Sequence, residues 1–242
     1  MSYGYIEMTP EEFERAVVKM PLFLMPMGLI EWHADHLPLG LDGIKAAGLC
    51  ERIAQRMGGG IVLPPTFVGR PGFSTYAGTL TYSESLVNQT IYETLYQLKK
   101  VGARVVVILT GHYGNLQVDC VKRAAHCFAV ENPSIKVIAQ AEYEGVLVNG
   151  EEPADHAGKW ETSMFWRMFP DLTHFEKLNM NPMPRRYLDP PNYYYKDSPN
   201  WEWWDDVENS SPELGEKAIQ AITEHFAALI LKAFEELNIR FT

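Results

Sequence analysis

The sequence has little of three features that would indicate particular classes of protein. It has three cysteines, Cys50, Cys120 and Cys127, and their odd number and wide spacing argue against a disulfide framework or a cysteine-type zinc site. It has no apolar run near the roughly 20 residues that span a bilayer. The first residues also lack the basic-then-apolar order of a signal peptide. We therefore expect a cytoplasmic protein that does not span a membrane.

Basic residues are also few. The chain has 21 Lys and Arg against 31 Asp and Glu, which gives a net charge of −10, and no basic run stands out. Because phosphate binding needs a concentrated basic face, we expect no nucleic-acid partner. The 242 residues, 46% of them hydrophobic, are enough for one large core. We predict a single domain over residues 1–242.

Apolar, strand-like runs alternate with amphipathic helical segments along the chain. Helix starts are predicted at Thr9, Ser83 and Ser211, because each can cap the backbone N–H groups of a following helix. The run ARVVVILT is typical of a strand that is buried on both faces of a parallel sheet. The alternation therefore predicts an α/β fold with helices on both faces of a parallel sheet. The other strand-like runs are PLFLMPMG, IVLPPTFVG and IKVIAQAEY.

Residues 180–206 depart from this alternation. Prolines exclude a long regular element there, and tyrosines and tryptophans, Trp201 among them, are frequent. One interpretation is an ordered loop insertion that packs on the body of the protein or on a partner subunit. The other is a pocket wall whose aromatic faces stack on a flat or cyclic ligand. Both interpretations stay open at this point.

Three clusters of histidines and acids follow predicted strands. They are GLIEWHADHLPLGLD at residues 28–42, TGHYGN at 110–115 and DHAGKWETS at 155–163. Ligands in parallel α/β sheets bind at the carboxyl ends of strands, so we expect the three clusters to meet there. A single histidine at a strand end is usually a structural, hydrogen-bonded residue. Three such clusters are better explained by a metal site, because buried acids need compensation.

Two imidazoles and three carboxylates of these clusters form a candidate metal-ligand set. Nitrogen and oxygen donors of this kind suit Zn²⁺, Mn²⁺ or Fe²⁺. Five protein ligands with one bridging carboxylate would hold two ions about 3.5 Å apart. We expect His112 and Glu161 to come from neighbouring strand ends. The predicted ligands are Glu31, His33, Asp42, His112 and Glu161.

The three clusters, in this order, resemble the signature motifs of the creatininase family. The first resembles G-S-x-E-Q-H-G-x-H-L-P-L-G-T-D, the second N-G-H-G-G-N and the third H-A-G-x-x-E-T-S. The resemblance implies a three-layer α/β/α fold with a small, mostly parallel sheet. It also implies a metal-dependent hydrolase with a binuclear metal centre, assembled as a homohexamer.

The resemblance further implies how the ligands are shared. By motif position, Glu31 and His112 hold one ion, His33 holds the other, and Asp42 bridges the two. Creatininase itself takes one more ligand from a glutamate two residues after the histidine of the second motif.

That family position is Gly114 in this sequence. We therefore assign the remaining ligand to Glu161, as in other members with the third motif. His156 would transfer protons, since the near-neutral pKa of an imidazole suits this task. We count His156 and Glu161 as the catalytic residues.

The resemblance leaves the substrate open, because family members share attack on a carbonyl but differ in what they cleave. We predict hydrolysis of a small cyclic amide or a related C–N substrate. The alternative is hydrolytic opening of a cyclic keto-inositol at a C–C bond, and an alternative of another class is a non-catalytic, metal-containing binding subunit. The residues predicted to contact substrate are Trp32, His36, Tyr113, Trp160 and Trp201.

Overall fold

The computed structural model describes residues 3–179 and 206–239, and its centre is a small parallel sheet. The four strands of this sheet lie in the order β2-β1-β3-β4, and each neighbouring pair is parallel. Helices cover both faces, so the predicted three-layer α/β fold is confirmed. The strands are β1 (Leu22–Met27), β2 (Ile61–Val62), β3 (Val105–Thr110) and β4 (Lys136–Ala141).

The predicted helix starts at Thr9, Ser83 and Ser211 are confirmed. Each of these side chains accepts a hydrogen bond from the backbone N–H three residues further on, which satisfies one of the free donors at a helix start. The α-helices in the described residues are α1 (Pro10–Lys19), α2 (Leu41–Met57), α3 (Glu84–Lys100), α4 (Asn115–Glu131), α5 (Lys159–Met168) and α6 (Pro212–Glu236), and short 3-10 helices, Pro170–Leu172 among them, lie between some of them.

The two apolar layers follow from the alternation of side chains along the strands. Leu22 and Leu24 of β1 point to one face and pack in a cluster with residues of α2, α5 and α6. Phe23 and Met25 point to the other face and pack with residues of α3 and α4. Successive side chains of a strand face opposite sides, so a fully apolar strand feeds both layers.

Two elements differ from the sequence-based prediction. The strand expected over IVLPPTFVG ends at Val62, because Pro64 and Pro65 cannot donate ladder hydrogen bonds. Residues 159–168, for which no element was assigned, form helix α5. The chain leaves β4 at Ala141 and runs through turns and short bridges before this helix begins.

The aromatic segment predicted as an insertion at about 180–206, including Trp201, lies outside the described residues except for Asp206. Within residues 3–179 and 206–239, no helix combines the length and apolar character that crossing a membrane requires.

Candidate metal centre

The five predicted ligands meet at the carboxyl edge of the sheet. Glu31 and His33 lie in the loop after β1, and His112 follows β3. Asp42 lies in the first turn of α2. The expectation that Glu161 comes from a strand end is wrong, because it lies in the first turn of α5. A helix start also suits a carboxylate, since its free N–H groups and dipole favour negative charge.

Two glycines let helix α2 approach the strand ends closely enough to place Asp42 in the cluster. A Cβ atom on Gly28, just after β1, would lie 2.2 Å from the backbone nitrogen of Gly43. A Cβ atom on Gly111, just after β3, would lie 2.3 Å from the carbonyl oxygen of Asp42. Such distances are far inside van der Waals contact, so a larger residue at either place would push the helix start away.

The carboxylate of Asp42 divides the cluster into two parts. Its Oδ1 lies 3.0 Å from His33 Nε2, and its Oδ2 lies 3.4 Å from His112 Nδ1. Glu31 Oε2 is 3.1 Å from His112 Nδ1, and Glu161 Oε2 is 3.7 Å from His33 Nε2. We name Glu31, Asp42 and His112 the first ligand group, and His33, Asp42 and Glu161 the second ligand group. In each group the donor atoms lie within 4.8 Å of one another, which would let them hold a metal ion.

Backbone carbonyls orient both imidazoles. His33 Nδ1 lies 3.0 Å from the carbonyl oxygen of Glu31, and His112 Nε2 lies 3.0 Å from that of Arg70. A carbonyl oxygen only accepts, so these nitrogens carry the hydrogen. In the neutral rings, Nε2 of His33 and Nδ1 of His112 then present lone pairs to the carboxylates. Metal-binding histidines are typically held in this way.

The cluster is buried and its hydrogen bonds are incomplete. Glu31, His33, Asp42, His112 and Glu161 are each at most 4% exposed. Among the described residues, His33 Nε2 and Asp42 Oδ2 have no hydrogen-bond partner of good geometry. Buried polar atoms in native proteins are almost always satisfied. A cation in each ligand group would satisfy both atoms, so these residues fit two divalent ions.

The surrounding carboxylates shift the pKa values of both histidines. Burial by itself lowers the pKa of His33, but Asp42, Glu161 and Glu31 outweigh it and raise the pKa to about 9. Burial also lowers the pKa of His112, but Glu31 and Asp42 outweigh burial and raise this pKa well above its usual value. The carboxylates therefore create a strongly negative field in which any positive charge is stabilised.

His156 lies beside this cluster in a different environment. Its Nε2 is 2.8 Å from the carbonyl oxygen of Trp32, and its Nδ1 is 4.0 Å from Glu31 Oε2. The ring stacks on Phe73 with a centroid distance of 4.0 Å. Burial, with the neighbouring His33, lowers the pKa of His156 to about 3. The ring is therefore neutral and a weak base, so the near-neutral pKa expected of His156 from the sequence is wrong, because burial and His33 disfavour its protonated form.

The turn before α5 sets the positions of both His156 and Glu161. Ala157 has a left-handed φ of 52° and donates its N–H to Glu161 Oε2 at 2.7 Å. The carboxylate of Asp155 accepts the N–H groups of Trp160 at 2.6 Å and Glu161 at 3.0 Å. The left-handed conformation costs an alanine about 1–2 kcal/mol, and these hydrogen bonds offset part of that cost.

A cavity of about 880 Å³ opens onto the cluster. Its lining includes His156 and four of the predicted ligands, Glu31, Asp42, His112 and Glu161. Aromatic and aliphatic side chains form much of the remaining wall, including Phe73, Leu116 and Tyr143.

One of the residues predicted to contact substrate lines this cavity. Tyr113 does so, and its hydroxyl donates to the carbonyl oxygen of Asp155 at 2.6 Å. Burial, together with nearby acids of which Glu161 is the largest contributor, raises the pKa of Tyr113 well above its usual value. The phenol is therefore a neutral donor.

The side chains of Trp32, His36 and Trp160 are packed elsewhere. Trp32 stacks on Tyr76 with a centroid distance of 4.4 Å, and Trp160 belongs to the apolar cluster under α6. His36 Nε2 lies 3.0 Å from Thr162 Oγ1. The described cavity lining includes none of the three. Their contact with substrate stays a prediction, as does that of Trp201.

The sequence analysis does not predict two charged residues that lie beside the cluster, Lys45 and Glu142. The Nζ atom of Lys45 lies 2.6 Å from both Glu142 Oε1 and Glu161 Oε1, and all three side chains are buried. The sequence does contain a signal for each of these two residues. Lys45 lies between Leu41 and Leu49 on the buried stripe of α2, and Glu142 directly follows β4, as the other acids follow their strands.

Curated relatives support a hydrolase. The chain is 24% identical over 197 residues to a creatinine amidohydrolase from Pseudomonas putida, covering 73% of this chain and 75% of that protein. It is 26% identical over 163 residues to a mycofactocin precursor peptide peptidase from Mycolicibacterium smegmatis, covering 63% and 60%. The keto-inositol alternative gains no support from these relatives.

Solved structures support the fold. A structure described as "Creatininase Mn" has a TM-score of 0.79 at 22% identity and covers 98% of this chain and 99% of that chain. A second creatinine amidohydrolase structure has a TM-score of 0.76 at 21% identity and covers 98% of each chain. The family model described as "Creatininase: Creatinine amidohydrolase" matches residues 6–230. The chain therefore belongs to the creatininase family of metal-dependent hydrolases.

Proposed function

We propose that this chain hydrolyses a C–N bond at the carbonyl of a small, neutral cyclic amide or a related substrate, with two divalent ions. One observation carries the proposal. The two oxygens of Asp42 face two separate ligand groups, and Asp42 lines a single cavity together with the glutamate of each group. A carboxylate in this position can bridge two ions, as binuclear hydrolases require.

The first ligand group would hold one ion and the second ligand group the other. The donors are nitrogen and oxygen, which suits Zn²⁺, Mn²⁺ or Fe²⁺. When bound, such ions lower the pKa of a coordinated water and polarise a carbonyl oxygen. The carbonyls of Glu31 and Arg70 keep the two imidazoles aimed at the ion positions.

His156 would move the proton. Its Nε2–H is fixed on the carbonyl oxygen of Trp32, so Nδ1 is the atom that faces the ligand cluster. Nδ1 would take up the proton that water releases as its oxygen bonds to the carbonyl carbon, and would pass it to the leaving nitrogen as the C–N bond breaks. Stacking on Phe73 keeps the ring in this orientation. Glu161, the other predicted catalytic residue, would act as a ligand in the second ligand group, where its Oε2 lies 3.7 Å from His33 Nε2.

The cavity wall favours an uncharged substrate. The described lining has no lysine or arginine to pair with an anionic group, whereas it carries four acidic side chains, those of Glu31, Asp42, Asp155 and Glu161. Phe73, Tyr113, Leu116 and Tyr143 offer apolar and aromatic surface to a flat ring. The Tyr113 hydroxyl and the Asn115 side chain supply polar groups near this surface.

A peptide bond is the second candidate substrate. The mycobacterial relative is named a peptidase, and a cavity of about 880 Å³ is large enough for several residues of a peptide. A peptide bond is also a C–N bond at a carbonyl, so the same residues would act on it.

Assembly and location belong to the same proposal. We propose a homo-oligomer, a hexamer by family resemblance, in the cytoplasm. Sedimentation of the purified protein measures the assembly, and a monomer at micromolar concentration would contradict it.

A substrate panel on metal-loaded protein tests the reaction class. The panel contains creatinine, cyclic ureides, formamides, short peptides and keto-inositols. We expect turnover of a cyclic amide or a peptide and loss of turnover after chelation. Hydrolysis of none of the C–N substrates, by protein that holds two ions, would contradict the proposal.

Replacing His156 by alanine tests the proton transfer. We expect His156→Ala to retain both ions and to lower kcat about 100-fold or more, because general acid–base catalysis contributes about that much. His126→Ala is the control, since His126 is exposed on α4, and it should leave kcat unchanged. An unchanged kcat in His156→Ala would remove this residue from the mechanism.

A further inference from the structure

Lys45 is a fully buried lysine that touches a candidate metal ligand. Its ammonium lies 2.6 Å from Glu142 Oε1 and 2.6 Å from Glu161 Oε1, and 5.0 Å from the centre of the Tyr113 ring. These contacts join α2, the end of β4 and the start of α5. A buried lysine is rare unless its charge is compensated. No step of the mechanism proposed above uses this residue.

The two ligand groups differ mainly at this contact. In the first ligand group, Glu31 Oε1 accepts a hydrogen bond from the neutral backbone N–H of Phe73 at 2.6 Å. In the second ligand group, Glu161 Oε1 accepts one from the charged ammonium of Lys45. Each glutamate therefore presents Oε2 to its histidine, but only Glu161 shares its negative charge with another cation.

The ammonium of Lys45 remains charged in this setting. Glu142 and Glu161 each place a carboxyl oxygen 2.6 Å from this ammonium, and such pairing compensates a buried charge. Charges interact more strongly inside a protein than in water, because the effective dielectric constant is lower. A divalent ion bound at Oε2 of Glu161 is therefore opposed by a positive charge on the other oxygen of the same carboxylate.

We propose that Lys45 is a positioning residue that fixes Glu161 through Oε1 and weakens the hold of the second ligand group on its ion. The ion of the second ligand group is then bound more weakly than that of the first and exchanges more readily. This inference rests on the proposed function, because it assumes two ions. It adds that the two sites bind their ions with different affinities, which their similar donor atoms alone do not predict.

Metal titration of wild-type protein and Lys45→Met tests the inference. Metal-free protein is titrated with Mn²⁺, and the bound ion is measured by calorimetry and by electron paramagnetic resonance. We expect two dissociation constants in wild type, and in Glu161→Gln a further weakening of the weaker binding event. In Lys45→Met the dissociation constant of the weaker binding event should fall about 10- to 100-fold, which is the scale on which neighbours of metal ligands act. The dissociation constant of the tighter event should stay unchanged.

Lys159→Met is the matched control. Lys159 also lies at the start of α5, but its ammonium pairs with Glu151 at the surface. This variant removes the same formal charge and should leave both dissociation constants unchanged. Lys45→Met/Glu142→Gln is the second test variant, because it replaces both buried partners together and does not leave the Glu142 carboxyl group without Lys45. It should tighten the weaker event as well.

The outcomes separate this inference from the proposed function. Wild type that binds fewer than two ions, or an Asp42→Asn variant that binds both normally, would overturn the two together. Two ions that depend on Asp42, with no tightening in either Lys45 variant, would overturn the role of Lys45 alone. Tightening in both Lys45 variants, but not in Lys159→Met, supports it.

Discussion

The first and second ligand groups share Asp42, and each adds one histidine and one glutamate. Their histidines are held alike, each by a backbone carbonyl. Their glutamates are held differently, since Glu31 accepts a hydrogen bond from a neutral backbone N–H and Glu161 accepts one from an ammonium group. The two groups show that the donor atoms alone do not determine how a site binds its ion, because buried neighbours set the charge that each donor offers.

The largest expected effect comes from breaking both groups at once. Asp42→Asn keeps the size of the side chain but removes the shared charge. We expect loss of at least one ion and about a 1000-fold fall in kcat/KM, which corresponds to about 4 kcal/mol of transition-state stabilisation. Metal analysis and kinetics measure these effects.

Asp171→Asn serves as the control for this variant, because Asp171 is exposed on a short helix that follows α5. It should behave as wild type. An Asp42→Asn variant with two ions and normal turnover would show that Asp42 does not join the two groups.

The next effect is the pH dependence of the free energy of unfolding, in protein from which a chelator has removed the metal ions. The pKa of His33 is raised to about 9 in the fold. Its contribution to the free energy of unfolding is therefore complete below pH 6.5 and is lost as the pH rises through 9. We expect a loss of up to about 3 kcal/mol from this group, measured by denaturant unfolding from pH 6 to 10.

His33→Gln isolates this contribution. Burial raises the pKa of Glu142 to about 8, although Lys45 opposes this rise. Glu142 therefore also makes the free energy of unfolding fall as the pH rises, over a lower pH range than His33. This contribution is the same in wild type and in His33→Gln. The difference between wild type and His33→Gln should therefore shrink as the pH rises. A constant difference would contradict the raised pKa of His33. Metal affinity should show the opposite trend and increase with pH, because bound ligands must lose their protons.

The smallest expected effect comes from weakening one group at a time. Glu31→Gln and Glu161→Gln remove one negative charge from the first and second ligand groups, respectively. We expect each to weaken one binding event about 10- to 100-fold, Glu31→Gln the tighter and Glu161→Gln the weaker. Titration with Mn²⁺ measures both. Identical effects of the two variants would show that the two groups are equivalent.

Much of the fold could be predicted because its signals are local. Thr9, Ser83 and Ser211 cap helices within three residues of themselves, and the strand from Val105 to Thr110 is apolar throughout. Helix α5 gave no such signal. Its N-cap residue is Gly158, which has no side chain to cap the helix, and the capping carboxylate belongs to Asp155 further upstream.

The ligand cluster could be predicted because its members lie in three recognisable motifs. The contact between Lys45 and Glu161 spans 116 residues of sequence and has no motif. A single lysine on a helix usually extends its charge into water, so the buried position of Lys45 follows only from the packing of α2 against α5 and the end of β4. Tertiary packing of this kind is not readable from local spacing.

The most direct test of the central claim is anomalous diffraction from crystals of the Mn²⁺-loaded protein. The account predicts two manganese peaks on either side of Asp42, one bound by Glu31 and His112 and the other by His33 and Glu161. A single peak, or two peaks that Asp42 does not join, would contradict it.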